Sequence, residues 1–195
     1  MSNNQIKDLR ELTGAGMMDI KAALEEASGD TAKAVELLRK KGVLKMGKKA
    51  DRAAKEGIVE AYIHPGGRIG VLLEINCETD FVARTDDFKT LAKDLALHIA
   101  GANPLFVSID DVPEEVAEKE KEIYKAEPAL AKKPKEVAEK ILEGRLAKFY
   151  EETCLLEQAF VKNPDIKIKQ LISDAVAKMG ENVIVKRFAR FILGN

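Results

Sequence analysis

The sequence is poor in the residues that most often carry catalysis or bind metals. It contains no tryptophan, two cysteines and two histidines in 195 residues. Cys77 and Cys154 lie far apart and form no CxxC pair, so neither a metal cluster nor a disulfide framework is expected. His64 in IHPGGR and His98 in LAKDLALHIA have no carboxylate or cysteine pattern nearby, which favours a structural role for both. We therefore expect no metal site and no cofactor.

Long apolar runs, a strong net charge and the common phosphate-binding loops are also missing. Lysine and arginine number 32 and aspartate and glutamate 33, which gives a formal net charge of −1. This balance provides no basic field for nonspecific nucleic-acid binding and no acidic excess for a basic client. No apolar run approaches a membrane span, and MSNNQIKDLRELTG contains no signal core. Neither GxGxxG nor GxxxxGK[ST] occurs. A cytoplasmic protein is the resulting expectation.

What is present is enough for a packed core, with 46% hydrophobic and 33% charged residues. Residues 1–42 are predicted to form three short helices, separated by TGAG and by Ser28-Gly29, with Gly42 ending the third. A unit this small buries little area, so a docking module is expected. Residues 43–55 are basic and alanine-rich, and they are predicted to be a linker that is compatible with a helix.

Residues 56–195 change to a strand pattern and are predicted to form an α+β core. GIVEAYIH and RIGVLLEINC, joined by Pro-Gly-Gly, indicate an antiparallel hairpin, and NVIVKRFARFIL indicates a long final strand. Helical spacing predicts helices from Phe88 to Gly101, over about 135–152 with its apolar side facing inward, and over Asp165–Met179. About three antiparallel strands packed with helices are expected.

The segment NCETDFVARTDDF places a large aromatic residue at a polar strand exit. Phe81 continues the odd-numbered apolar face of the preceding strand, which is consistent with a residue that caps the core. The polar residues on both sides, from Glu78 to Asp80 and from Arg84 to Asp87, instead favour an exposed turn. An exposed phenylalanine on a rigid turn is a good anchor for a partner, because it loses little rotamer freedom on binding. The pattern leaves both alternatives open.

The C-terminal strand interleaves basic and aromatic residues in VKRFARF. Lys186, Arg187 and Arg190 beside Phe188 and Phe191 could bind single-stranded nucleic acid, with the basic linker as a second contact. A strand with one packed face and one solvated basic face explains the same pattern more simply. The strand is also a candidate dimer seam, because a three-stranded sheet has few ways to cover both of its faces.

Three separated segments together resemble the elongation factor Ts family. They are NCETDFVAR at 76–84, LRELTGAGMMDIKAALEEASGDTAKAVELLRKKG near the N-terminus, and the terminal GENVIVKRFARF. The resemblance covers essentially the whole chain and implies a ubiquitin-associated-like helical module followed by a single core. Longer family members have a duplicated core and an inserted coiled coil. The short, single-core form implies a homodimer in which the second copy supplies the missing half.

The resemblance implies a guanine-nucleotide exchange factor for elongation factor Tu, and not an enzyme that makes bonds. It places the contact that disturbs the Mg²⁺ and phosphate site at Thr79, Asp80, Phe81 and Val82. It also makes the turn between the first two helices a possible second contact, through Leu12, Gly14, Gly16, Met17 and Met18. A plain interhelical turn with Met17 and Met18 buried remains the alternative there. Neither a membrane nor a direct nucleic-acid partner is expected.

Overall fold

The computed structural model describes residues 3–13, 15–49, 52–127 and 133–194. The α-helices and strands of these residues are, in chain order, α1 (Asn3–Thr13), α2 (Met17–Glu26), α3 (Thr31–Lys49), β1 (Glu56–Ile63), β2 (Ile69–Cys77), α4 (Asp80–Ala83), α5 (Asp86–Ala102), α6 (Glu114–Lys125), α7 (Lys135–Thr153), β3 (Ala159–Phe160), β4 (Asn163–Lys167), α8 (Ile168–Met179) and β5 (Val183–Ile192). Helices segregated against an antiparallel sheet confirm the predicted α+β class.

The first three helices pack around a small apolar cluster of their own. Leu9, Ile20, Leu24 and Ala34 are fully buried within it. α3 does not end at Gly42 as predicted but continues to Lys49, so the backbone of the first part of the expected linker is helical. A glycine inside a helix costs only about 1 kcal/mol relative to alanine, which is too little to end a helix by itself.

The main sheet has the order β1-β2-β5, with both pairs antiparallel. Glu56 pairs with Cys77 and Ile63 pairs with Gly70 across the predicted hairpin. On the other side of β2, Val183 lies opposite Cys77. The predicted hairpin and the predicted long final strand are therefore confirmed. Cys77 is the last residue of the central strand β2, and residues 78–85 follow directly after it.

Gly57 lets β1 and β2 approach closely beside Cys77, at the end of β2. Its φ is +147°, and a Cβ atom there would lie 2.1 Å from the carbonyl oxygen of Ile75. No side chain fits at this distance, so the position requires glycine. The close approach fixes the register of the hairpin beside Cys77.

One face of the main sheet carries the core, and α5 and α8 cover it. Alternate residues of β2 from Val71 to Cys77 point into this core, as the strand pattern requires. The fully or nearly fully buried side chains of the cluster include Leu73, Ile75, Phe88, Leu95, Ile99, Ile168, Ile172 and Val176.

The opposite face of the sheet, called here the outer sheet face, is apolar and exposed. Its large exposed side chains are Val59, Ile63, Leu72, Ile184 and Phe191. Glu74 and Arg187 lie opposite each other on the same face, and the Arg187 Nε atom donates to Glu74 Oε2 at 2.6 Å. This face therefore combines an uncovered apolar surface with one acidic and one basic group.

β3 and β4 form a second, two-stranded sheet. Because Asn163–Lys167 pairs with Ala159–Phe160, the helix predicted from Asp165 begins only at Ile168. The sequence LLEQAFV, which contains β3, is compatible with either a short strand or a connector, because a strand of two residues leaves no periodic pattern.

His98 is fully buried between α5 and this small sheet, which supports the structural role expected for it. The backbone N–H of Val161 donates to His98 Nδ1 at 3.3 Å, so the other ring nitrogen carries the proton. That Nε2 atom donates to Gln158 Oε1 at 3.0 Å. Burial lowers the pKa of His98, and the imidazole is neutral.

α6 and α7 pack against each other and bury no side chain completely. The prediction that the apolar side of residues 135–152 faces the core is therefore wrong: Val137 is exposed, and Ile141, Leu146 and Phe149 are only partly covered. Arg145 pairs with Glu127, and its guanidinium lies 5.6 Å from the ring centre of Tyr124. An amphipathic helix needs a partner for its apolar side, and here a neighbouring helix supplies it.

Candidate functional site

The TDFV segment forms a single helical turn, α4, immediately after β2. Thr79 has an extended backbone and is the N-cap, and its hydroxyl accepts from the Val82 N–H at 3.4 Å. The backbone N–H groups of Ala83 and Arg84 then reach the carbonyls of Thr79 and Asp80. The expected exposed turn is thus a capped helical turn, and threonine followed by aspartate is the sequence signal for such a cap.

The turn separates its side chains into an inner and an outer set. Ala83 is buried in the main core and Val82 packs partly against it. Phe81 points away, with 78% of its surface exposed. Asp80 lies beside it, half-exposed, and accepts from Arg84 Nη2 at 2.8 Å. The core-cap alternative for Phe81 is therefore wrong, and the aromatic ring is free to contact a partner.

A second threonine cap joins this turn to α5. The Thr85 hydroxyl accepts from the Phe88 N–H at 3.3 Å and donates to the Val82 carbonyl at 2.8 Å. Thr85 is the N-cap of α5. Because Phe88 is fully buried, the far end of the turn is tied to a fixed point of the core.

The near end of the turn is held by Glu181, a residue in the connection between α8 and β5. Glu181 accepts three hydrogen bonds: from the backbone N–H groups of Glu78 and Thr79 at 3.1 and 3.0 Å, and from the Thr79 hydroxyl at 2.6 Å. In the other direction, Glu78 accepts from the Asn182 N–H at 2.7 Å. These contacts span more than 100 positions, so no local pattern reveals them.

Cys77, the last residue of β2, is buried directly behind the turn. Its Sγ atom donates to the Thr79 carbonyl at 3.1 Å. Burial, followed by the nearby Glu181 carboxylate, raises the pKa of the Cys77 thiol to about 11. The thiol is therefore protonated at neutral pH and serves the local structure.

The second predicted contact lies on the turn between α1 and α2. Leu12, Met17 and Met18 are exposed by 72%, 54% and 77%, so the alternative that buries both methionines is wrong. Gly16 is exposed and is the N-cap of α2, and Gly14 lies outside the described residues. The turn therefore presents an uncovered apolar surface.

Leu12 differs from the two methionines in its surroundings. It lines a cleft of about 720 Å³ between α1 and the core helices α5 and α8, together with Leu91 and Leu171. Lys7 and Arg10 of α1 line the same cleft. Leu12, Met17 and Met18 lie on the first two helices, whereas residues 79–82 form the turn after β2. The two groups of predicted site residues therefore form separate surfaces.

Several basic and aromatic side chains of the C-terminal strand are engaged in contacts within the protein. Arg190 donates from Nε and Nη2 to the Ala100 carbonyl at 3.2 and 2.9 Å, and from Nη1 to Asn103 Oδ1 at 2.7 Å. It thus caps the C-terminal end of α5, where a cation is favourable. Arg187 is paired with Glu74 and Phe188 packs against the core. The basic and aromatic residues of VKRFARF do not share one free face.

Within the ranges that the structure describes, no group of three or more histidine, cysteine, aspartate or glutamate side chains is arranged to hold a metal ion. In the same ranges, no helix is both long and apolar enough to cross a membrane. The α4 turn presents one exposed aromatic ring and one half-exposed carboxylate on a backbone held by hydrogen bonds.

Comparisons with known proteins agree with the resemblance in the sequence. The family model described as Elongation factor TS matches residues 1–195. An elongation factor Ts of Carboxydothermus hydrogenoformans is 59% identical over 194 residues, covering 100% of this chain and 89% of the relative. One from Syntrophus aciditrophicus is 54% identical, covering 100% and 96%. A third, from Anaeromyxobacter sp., is 59% identical over 191 residues, covering 98% and 87%.

Proposed function

Since the chain belongs to the elongation factor Ts family, we propose that it is a guanine-nucleotide exchange factor for elongation factor Tu in translation elongation. It binds the GDP form of that GTPase and promotes GDP release. It changes rates and populations and makes no covalent bond, so it is not an enzyme in that sense. The excess of GTP in the cell, and not this protein, determines which nucleotide binds next.

The observation that carries the proposal is the exposed aromatic ring at a fixed turn. Phe81 is 78% exposed, although its neighbours Val82 and Ala83 are packed against the core. Both ends of the turn are held by side-chain hydrogen bonds, through Thr79 and Thr85. A large apolar side chain that is already ordered is suited to insert into a partner, because little conformational entropy remains to be lost.

The proposed mechanism is a linkage between two ligands of the GTPase. GDP is held in such proteins by backbone N–H groups, a lysine and Mg²⁺. Insertion of Asp80 and Phe81, with Thr79 and Val82 as their frame, disturbs the Mg²⁺ and phosphate site and removes charge that neutralises the phosphates. Exchange factor and nucleotide then weaken each other's binding by the same factor.

The three-helix module supplies a second contact in this proposal. Met17 and Met18 are exposed on the α1–α2 turn, and methionine adapts well to an apolar partner surface. The module contributes affinity for the GTPase, while the α4 turn acts on the nucleotide site.

The test is the release of a fluorescent GDP from elongation factor Tu, with and without this protein. Rapid mixing with excess unlabelled nucleotide should show a release rate that rises with the concentration of the protein and then saturates. A release rate that stays at its spontaneous value over the whole concentration range would refute the proposed function.

A homodimer through the outer sheet face belongs to the same proposal. The face is apolar along all three strands, and the Glu74–Arg187 pair gives it one group of each sign. About a two-fold axis, the same patch can meet itself, with the acidic group of one copy near the basic group of the other. Light scattering should report a dimer at micromolar concentration, and Phe191→Glu should yield a folded monomer. A monomer for the unmodified chain would refute the seam.

A further inference from the structure

We infer that Glu181 is a positioning residue for nucleotide release, because its carboxylate fixes the turn that presents Phe81. This inference rests on the proposed function of the α4 turn. Glu181 itself is half-buried and lies in the connection between α8 and β5. It acts through Thr79, the residue that caps the turn.

The three hydrogen bonds of Glu181 all end on the two residues that precede Asp80. Oε2 accepts from the N–H groups of Glu78 and Thr79, and Oε1 accepts from the Thr79 hydroxyl. The two backbone N–H groups lie where β2 has ended and α4 has not yet begun. Charge-assisted bonds of this kind are about twice as strong as bonds between neutral groups. The strand exit is thereby held in one conformation.

The bond to the hydroxyl also determines how Thr79 caps the turn. A hydroxyl has one proton to donate and two lone pairs to accept with. The Thr79 hydroxyl donates its proton to Glu181, and the two oxygens lie 2.6 Å apart. A lone pair of the hydroxyl then accepts from the Val82 N–H. A helix of four residues does not persist by its own hydrogen bonds, since nucleation is unfavourable. The cap, and with it the direction of Phe81, therefore depends on Glu181.

A reciprocal hydrogen bond links this turn to the core. Glu78 accepts from the Asn182 N–H, so residues 78–79 and residues 181–182 hold each other from both sides. Gly180 ends α8 with a φ of +80°, and Asn182 is nearly fully buried just before β5. The position of Phe81 is therefore set by where α8 ends and β5 begins, in a segment far from it in the sequence.

The experiment measures release of fluorescent GDP from elongation factor Tu against the concentration of the full-length protein. Glu181→Ala should lower the maximum release rate about tenfold, while the concentration for half-saturation changes less than about threefold. Glu181→Gln should restore at least half of the wild-type rate, because its amide oxygen can accept from both N–H groups while its NH2 group donates to a lone pair of the Thr79 hydroxyl. Glu157→Ala is the matched control. Glu157 is a half-buried glutamate that accepts from Lys167 and Lys169 away from the turn, and its loss should leave the maximum rate unchanged.

A double mutant separates positioning from general stability. In the background Phe81→Ala, adding Glu181→Ala should cost less than about a further twofold in rate, because both changes remove the same contact. Independent, multiplying losses would overturn the inference, as would a Glu181→Gln rate equal to that of Glu181→Ala. If Glu181→Ala does not fold, Thr79→Val removes both the hydrogen bond to Glu181 and the cap on Val82 that depends on it, and should lower the maximum rate in the same way.

The two proposals fail differently in this experiment. If Phe81→Ala leaves the release rate unchanged, the proposed action of the turn is wrong whatever Glu181 does. If Phe81→Ala lowers the rate and Glu181→Ala leaves it unchanged, only the positioning role of Glu181 is wrong.

Discussion

Replacement of Phe81 by alanine should abolish most of the stimulated nucleotide release without harming the fold. The side chain is 78% exposed and α4 is held by Thr79 and Thr85, which remain in place. Surface substitutions of this kind usually change the free energy of unfolding by less than about 0.5 kcal/mol. Thermal unfolding of Phe81→Ala should therefore match that of the unmodified protein.

The size of the functional loss follows from the exposed area. A phenylalanine side chain buries about 150–250 Å² when it is fully enclosed, so about 120–195 Å² of Phe81 is left to be buried on a partner. At about 25 cal/mol per Å², this area corresponds to roughly 3–5 kcal/mol. Alanine keeps the Cβ atom, so a loss of about 3 kcal/mol is expected, on the order of a hundredfold in rate or affinity.

The assay is the same stopped-flow release of fluorescent GDP from elongation factor Tu, analysed as maximum rate divided by half-saturation concentration. Leu105→Ala is a suitable control, because Leu105 is 62% exposed on the core but lies outside the α4 turn. The reasoning is refuted if a folded Phe81→Ala protein stimulates GDP release from elongation factor Tu to within about threefold of the value for the unmodified protein. Loss of an anchor of this area should have a larger effect.

Three further outcomes are expected. Met18→Glu should leave the fold intact, since Met18 is 77% exposed. It should raise the half-saturation concentration about tenfold, because it places a charge in an apolar contact. An unchanged half-saturation concentration would show that the α1–α2 turn is not part of the interface. Burial lowers the pKa of His98, so the unfolded chain gains a proton there before the native protein does. The free energy of unfolding, measured in urea, should fall as the pH drops from about 7.5 to about 5.5, through the ordinary histidine pKa of about 6.5; a flat or rising profile would contradict a buried neutral imidazole. Burial raises the pKa of both cysteine thiols, to about 11 for Cys77, so a thiol reagent near pH 8 should modify the native protein far more slowly than the unfolded chain. Rapid labelling of the native protein would contradict the burial of Cys77 and Cys154.

The sequence predicts the parts of this fold whose signal is local. The hairpin of β1 and β2, the long β5 and the helix from Asp86 to Ala102 all follow from periods of 2 or 3.6 residues and from the turn at Pro65-Gly66-Gly67. The exposure of Phe81 could not be decided in this way, because its position fits both the apolar face of β2 and a polar exit. Only the backbone turn at Thr79 separates the two alternatives.

Other features depend on contacts that no window of sequence contains. α7 has an apolar side, but periodicity does not tell whether the core or α6 covers it, and here it is α6. The Glu181 contact to Thr79 joins two segments that each look unremarkable alone. In the sequence, Arg190 is compatible with nucleic-acid binding, but in the structure it donates to Ala100 and Asn103.

The pairing of α6 with α7 has a consequence for how the chain tolerates change. Neither helix buries a side chain completely, so we expect local opening of this pair to cost less free energy than opening of the core. Amide hydrogens there should exchange with solvent through local opening while β2, α5 and α8 stay closed. Residues can be added to or removed from this pair without moving the α4 turn, because the contacts of that turn run to β1, β2, α5 and residues 181–182. The pair is thus the place where length can vary while the site stays the same.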